Sequence, residues 1–180
     1  MNAEGNLPAV TLVLGGARSG KSRFAEQCVE AMPARHIYIA TGQAGDAEMA
    51  ERIRRHQTRR GSNWQTVEES LDLTGVLERL ANNDAAVLVD CLTLWLSNLM
   101  MAKAPVEEAI ASLVDVLSRG QGSIVLVSNE VGQGIVPVNT LAREFRDHAG
   151  WMNQKIAAVA DSVVLVTAGI PQHLKSPKGV

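Results

Sequence analysis

An apolar run, Val10-Thr11-Leu12-Val13-Leu14, stops at Gly15-Gly16-Ala17-Arg18-Ser19-Gly20-Lys21-Ser22, and a helical spacing of Phe24, Ala25, Cys28 and Val29 follows at once. Strand, glycine loop and helix in that order are the context a phosphate-binding P-loop requires. Gly15 and Gly20 let the backbone turn without a Cβ, so successive N–H groups can face one concavity and hold an anion. Lys21 adds a point charge for the terminal phosphates, and the Ser22 hydroxyl is placed to ligate Mg2+. The helix starts beneath the phosphates, where its dipole favours negative charge.

The rest of the chain alternates buried strands with helical patterns. Apolar runs predict strands near 36–41, 64–68, 85–89, 123–127 and 161–166. Between them, helices are predicted over 46–60, 71–80, 93–101, 105–120 and 139–160. Leu141, Phe145, Ala149, Met152, Ile156 and Val159 mark the core side of the last helix. Residues 1–8 and 171–180 predict frayed tails. Strands apolar on both faces, alternating with helices, predict an α/β domain built on a mainly parallel sheet covered on both sides. At 180 residues the simplest organisation is one nucleotide-binding domain.

Composition removes several functions. A net charge of −2 gives no basic field for nucleic acid, and six aromatic residues are few for stacking bases. Cys28 and Cys91 are the only cysteines, which predicts free thiols rather than a disulfide or zinc framework. The first eight residues lack the pattern of a signal peptide. The longest apolar run, 85–102, holds Asp90 and Asn98, which argues against a membrane span. A cytoplasmic setting is the expectation.

Three further features bear on chemistry. Asp90 follows a buried strand, where a P-loop fold places its second Mg2+ carboxylate, although an acid there also caps helices. Glu130 is similar in kind: a second carboxylate near the metal, a general base, or a loop residue. Between residues 52 and 60 lie Arg52, Arg54, Arg55, Arg59 and Arg60, five of the chain's seventeen basic residues. On a helix such a cluster is either a solvated face or a phosphate clamp. His56, among them, fits either a core position beside Met49 and Ile53 or a nucleophile whose protonation the guanidiniums disfavour.

Taken together, the motifs resemble the bifunctional adenosylcobinamide kinase/adenosylcobinamide-phosphate guanylyltransferase family of cobalamin biosynthesis. The resemblance rests on GGARSGKS at Gly15, YIAT at Tyr38, Arg52-Ile53 with His56, and Trp64, Thr66 and Glu68 as WxTxE. VDCLT around Asp90, Asn129-Glu130-Val131-Gly132, GIVP at Gly134, LAREFRD, and Asn153-Gln154 continue it. It implies a RecA-like P-loop sheet, ATP and GTP as substrates, and a homotrimer. The implied chemistry phosphorylates the hydroxyl of adenosylcobinamide, then transfers GMP to that phosphate through a GMP–histidine intermediate. By position, His56 is the guanylylated residue. The P-loop, Ala40, Thr41, Gly42, Gln57, Thr58, Arg59, Arg60, Glu68 and Asp90 form the nucleotide site.

A P-loop small-molecule kinase without guanylyl transfer explains the arginines but gives His56 no task. A GTPase switch usually needs an Asn-Lys-x-Asp loop, and the sequence has no Asn-Lys pair. A RecA-like nucleic-acid motor is suggested by fold alone and opposed by the charge balance.

Overall fold

The computed structural model describes residues 9–42, 63–81, 84–120 and 122–176. The predicted 46–60 helix lies outside them. Among the described residues seven strands form one sheet: β1 (Val10–Gly15), β2 (Arg35–Ala40), β3 (Trp64–Glu68), β4 (Ala85–Asp90), β5 (Ser123–Asn129), β6 (Ser162–Thr167) and β7 (Ile170–Lys175). Their spatial order is β3-β2-β4-β5-β1-β6-β7. Every pairing is parallel except β6 with β7.

Among the described residues five helices connect the strands: α1 (Lys21–Glu30), α2 (Leu73–Leu80), α3 (Leu92–Met101), α4 (Val106–Ser118) and α5 (Thr140–Val159). Their starts are readable in local chemistry. Asp72 caps α2 by accepting from the Gly75 N–H, and Asn139 caps α5 by accepting from the Ala142 N–H. Glu107 and Glu108 occupy the first turn of α4, where the helix dipole favours them.

Strand alternation divides the core in two. Leu12, Ile37, Ile39, Val87, Val89, Ile124 and Leu126 join the cluster beneath α2 to α5. Val13, Tyr38, Ala86, Leu88, Val125 and Val127 face the other way, with Ala25 and Val29 of α1. Asp90 is in phase with Ala86 and Leu88, so it belongs to the α1 face, at the C-terminal edge of the sheet.

Two expectations need correction. The chain does not fray from Pro171: residues 171–175 belong to β7. Ala168 and Gly169 both take positive φ, 52° and 80°, and this two-residue turn reverses the chain. An edge strand tolerates Pro171 because only one side of it must pair. In α5, Ala149, Met152 and Ile156 are buried as expected, but Leu141 is 59% exposed. Its turn lines a surface pocket of about 380 Å3 with Met100, Met101 and Phe145.

Candidate active site

The P-loop is shaped largely by its own backbone. Gly20 has φ 95°, and a Cβ there would stand 3.2 Å from Gly169 Cα. A Cβ on Gly15 would stand 2.6 Å from the Val166 carbonyl oxygen, which no side-chain rotation relieves. The Gly169 N–H donates to Ser19 O at 2.8 Å, so the β6–β7 turn braces the loop from behind. Gly16, Ala17 and Arg18 are exposed on its outer side, and Arg18 adopts φ 57°. Lys21 is buried and folds back so that Nζ donates to Gly16 O at 3.1 Å. Ser22, half-buried, lies in the first turn of α1.

The tips of β2, β4 and β5 are joined instead by side chains. Thr41 is fully buried. Its Oγ1 donates to Cys91 O at 2.7 Å and accepts from the Cys91 N–H at 2.9 Å. Asn98 Nδ2 donates to Thr41 O at 2.7 Å and to Ser70 O at 3.2 Å. Asn129 Nδ2 donates to Thr93 Oγ1 at 2.6 Å. Asp90 is half-buried, and its Oδ2 accepts from the Tyr38 hydroxyl at 3.2 Å.

Electrostatics place the two halves together. Burial pushes the Cys91 thiol up and the Asp90 carboxylate adds to this, while the Thr93 hydroxyl, the Leu94 backbone and the Lys21 ammonium pull it down. The P-loop lysine and Asp90 thus act on the same buried thiol. Burial alone lifts the half-buried Cys28 to about 11. Neither thiol has the depressed pKa of a nucleophile.

Ser22 and Asp90 offer hard oxygen donors. Mg2+ characteristically takes one or two such protein ligands, with phosphate oxygens and water completing its shell. Among the described residues no group of three or more His, Cys, Asp or Glu forms a metal cluster. The donor set fits Mg2+ carried on a nucleotide.

The structure thus brings the residues at 15–22 and Asp90 to one face, with Ala40, Thr41 and Gly42 two strands beyond β5. It does not bring Glu68 to the P-loop: this exposed residue ends β3, and β2, β4 and β5 intervene. His56, Gln57, Thr58, Arg59 and Arg60 lie outside the described residues. Glu130 turns back on its own loop, with Oε1 accepting from the Gly132 N–H at 2.6 Å. Sequence reasoning missed the roles of Tyr38, Thr93, Asn98 and the β6–β7 turn. A polar residue just past a buried strand was the available signal for the network.

The model of the cobinamide kinase / cobinamide phosphate guanyltransferase family matches residues 11–174. The chain belongs to this family. Relatives include a bifunctional adenosylcobalamin biosynthesis protein, CobP, of Pseudomonas aeruginosa, 46% identical over 91% of this chain and 96% of that protein. CobU of Salmonella typhimurium, also named a bifunctional adenosylcobalamin biosynthesis protein, is 41% identical over 91% of this chain and 98% of its own length. Among solved structures, a type III secretion ATPase aligns with TM-score 0.56 and 16% identity, over 89% of this chain and 51% of that one. A Pyrococcus horikoshii protein aligns with TM-score 0.55 and 11% identity, over 98% and 91%. At such identities the likeness shows the fold alone.

Proposed function

We propose that this family member uses one P-loop site for two successive reactions on a corrinoid. In the first, the hydroxyl oxygen of adenosylcobinamide attacks the γ-phosphorus of a nucleoside triphosphate. The bridge to the β-phosphate breaks and the diphosphate leaves. In the second, a His56 nitrogen attacks the α-phosphorus of GTP and pyrophosphate leaves. The corrinoid phosphate then takes GMP from His56, giving adenosylcobinamide-GDP.

The observation that carries this reading is the convergence of a complete P-loop and Asp90 on one sheet face, in a chain of this family. The loop at 15–21 would hold the phosphates through backbone N–H groups, and the Lys21 ammonium would follow the charge that develops on them. Ser22 and Asp90 would hold Mg2+, which when bound neutralises phosphate charge. Ala40, Gly42, Gln57, Thr58, Arg59 and Arg60 complete the nucleotide site by family position; Thr41 would shape it through its hold on the Cys91 peptide, and Glu68 would stand at its far end on β3, away from the phosphates. The other histidines support His56: His36 is near the N-terminal end of β2, His148 is within α5, and His173 is on β7.

No described helix is long and apolar enough to cross a membrane, and we place the reactions in the cytoplasm. Exposed Ile135, Val138 and Leu141 supply apolar surface for the homotrimer the family implies. Light scattering giving a monomer mass would refute the trimer.

The functional test is incubation with adenosylcobinamide, ATP and GTP, resolving the phosphate and GDP products. With α-labelled GTP alone, the chain should form an acid-labile GMP adduct that His56→Ala loses while phosphoryl transfer persists. A folded His56→Ala protein that still forms the adduct defeats the assignment. Phosphorylation with no adduct in the unaltered chain leaves a simple kinase.

A further inference from the structure

β5 lies between the P-loop strand β1 and the Asp90 strand β4, so its tip adjoins both. That tip is Asn129, in register with Gly15, and the next N–H, of Glu130, donates to Gly15 O at 3.1 Å. The backbone there is pinned from the opposite face. Ser128 Oγ donates to Asn153 Oδ1 at 2.7 Å, and Asn153 Nδ2 donates to Asn129 O at 3.4 Å, with Ser128 and Asn153 both buried. The side chain is pinned as well. Asn129 Nδ2 donates to Thr93 Oγ1 at 2.6 Å and lies 3.9 Å from Cys91 Sγ. This leaves Oδ1 as the amide's unused group, since no described residue donates to it. A half-buried amide, fixed at one end, thus presents an acceptor between the two strands that carry the phosphate machinery.

We propose that Asn129 Oδ1 accepts the hydrogen bond of the attacking corrinoid hydroxyl in phosphoryl transfer, with Thr93 the positioning residue that sets the amide's orientation. This deepens the kinase half of the proposed function and rests on it. An amide oxygen does not remove a proton at neutral pH. It fixes the hydroxyl so that an oxygen lone pair faces the γ-phosphorus. As the new O–P bond forms and the bridge to the β-phosphate breaks, the hydroxyl proton passes to a phosphoryl oxygen and then to water. Phosphoryl transfer depends largely on such positioning. The guanylyl steps use an imidazole nitrogen and a phosphate oxygen, so they draw less on this acceptor.

The test compares Asn129→Ala and Thr93→Val in the full chain. Phosphate product is measured with adenosylcobinamide and ATP, and GMP adduct with α-labelled GTP. Asn129→Ala should lower kcat for phosphoryl transfer on the order of 10²-fold, with the triphosphate KM moving about threefold or less. The ratio of phosphoryl transfer to adduct formation should fall with it. Thr93→Val keeps Oδ1 but releases its anchor, and should lower the same ratio by about tenfold. It also answers the question if Asn129→Ala does not fold. An unmoved ratio in the folded variants, with both reactions declining together, overturns the inference alone. An unaltered chain that makes no corrinoid phosphate overturns the kinase reading and the inference with it.

Discussion

At the tip of β1 the loop is held by backbone and steric contacts: the left-handed Gly20, the Gly15 approach to Val166 O, and the Gly169 N–H on Ser19 O. At the tips of β2, β4 and β5 the chain is held by buried side chains, with Thr41 clasping the Cys91 peptide and Asn129 tied to Thr93. The first arrangement sets the course of the loop through main-chain contacts. The second spends most of its polar groups on neighbouring segments, Asn129 Oδ1 excepted, and fixes where Asp90 and Asn129 stand. On the proposed function, one half receives phosphate and the other holds Asp90 and Asn129 in place.

Substitutions can pull these two halves apart. Lys21→Ala should have the largest effect, lowering kcat of both reactions by roughly 10²- to 10³-fold, as expected for a charge matched to the transition state. Either activity remaining within a few-fold of the unaltered chain would show that the loop is not shared. Thr41→Val should act chiefly on stability. It strands the buried Cys91 N–H and carbonyl, at about 2 kcal/mol in thermal or denaturant unfolding. A loss confined to turnover, with unfolding unchanged, would mean that Thr41 belongs to the phosphate half.

Gly20→Ala forces a Cβ into a left-handed residue, costing about 1–2 kcal/mol. The loop's shape should suffer with it, raising KM for the triphosphate. An unchanged KM would mean that the loop takes its form from the ligand. Tyr38→Phe should have the smallest effect. It removes one hydrogen bond to Asp90, worth about 1 kcal/mol, and should raise the Mg2+ needed for half-maximal rate by roughly fivefold. An unchanged Mg2+ titration would remove Tyr38 from any role in orienting Asp90.

The two halves also differed in how far they could be read in advance. The β1–loop–α1 unit is local, and its glycines, lysine and serine carry their meaning within eight positions. Strand positions were equally legible, because buried parallel strands are nearly continuous apolar runs. The network was not. Thr41 and Cys91 are separated by 50 residues, and Asn98 and Thr41 by 57, so no local pattern pairs them. β7 was hidden by Pro171 and by a turn of Ala-Gly rather than Asn-Gly. Leu141 was misplaced because periodicity gives the apolar face of a helix, not which turns along that face are covered.

The position of β1 governs how the molecule comes into being. This strand leaves the ribosome before the rest of the sheet, yet it must lie between β5 and β6, which are synthesised late. Until they arrive, the run from Val10 to Leu14 is an unpaired apolar strand, exposed to mispairing with other chains. Pairings across so much sequence also make folding slow. The loop's brace at Gly169 is later still. A nascent chain stalled before β6 should therefore retain no labelled GTP, and binding should appear only after the remaining residues are released and folded.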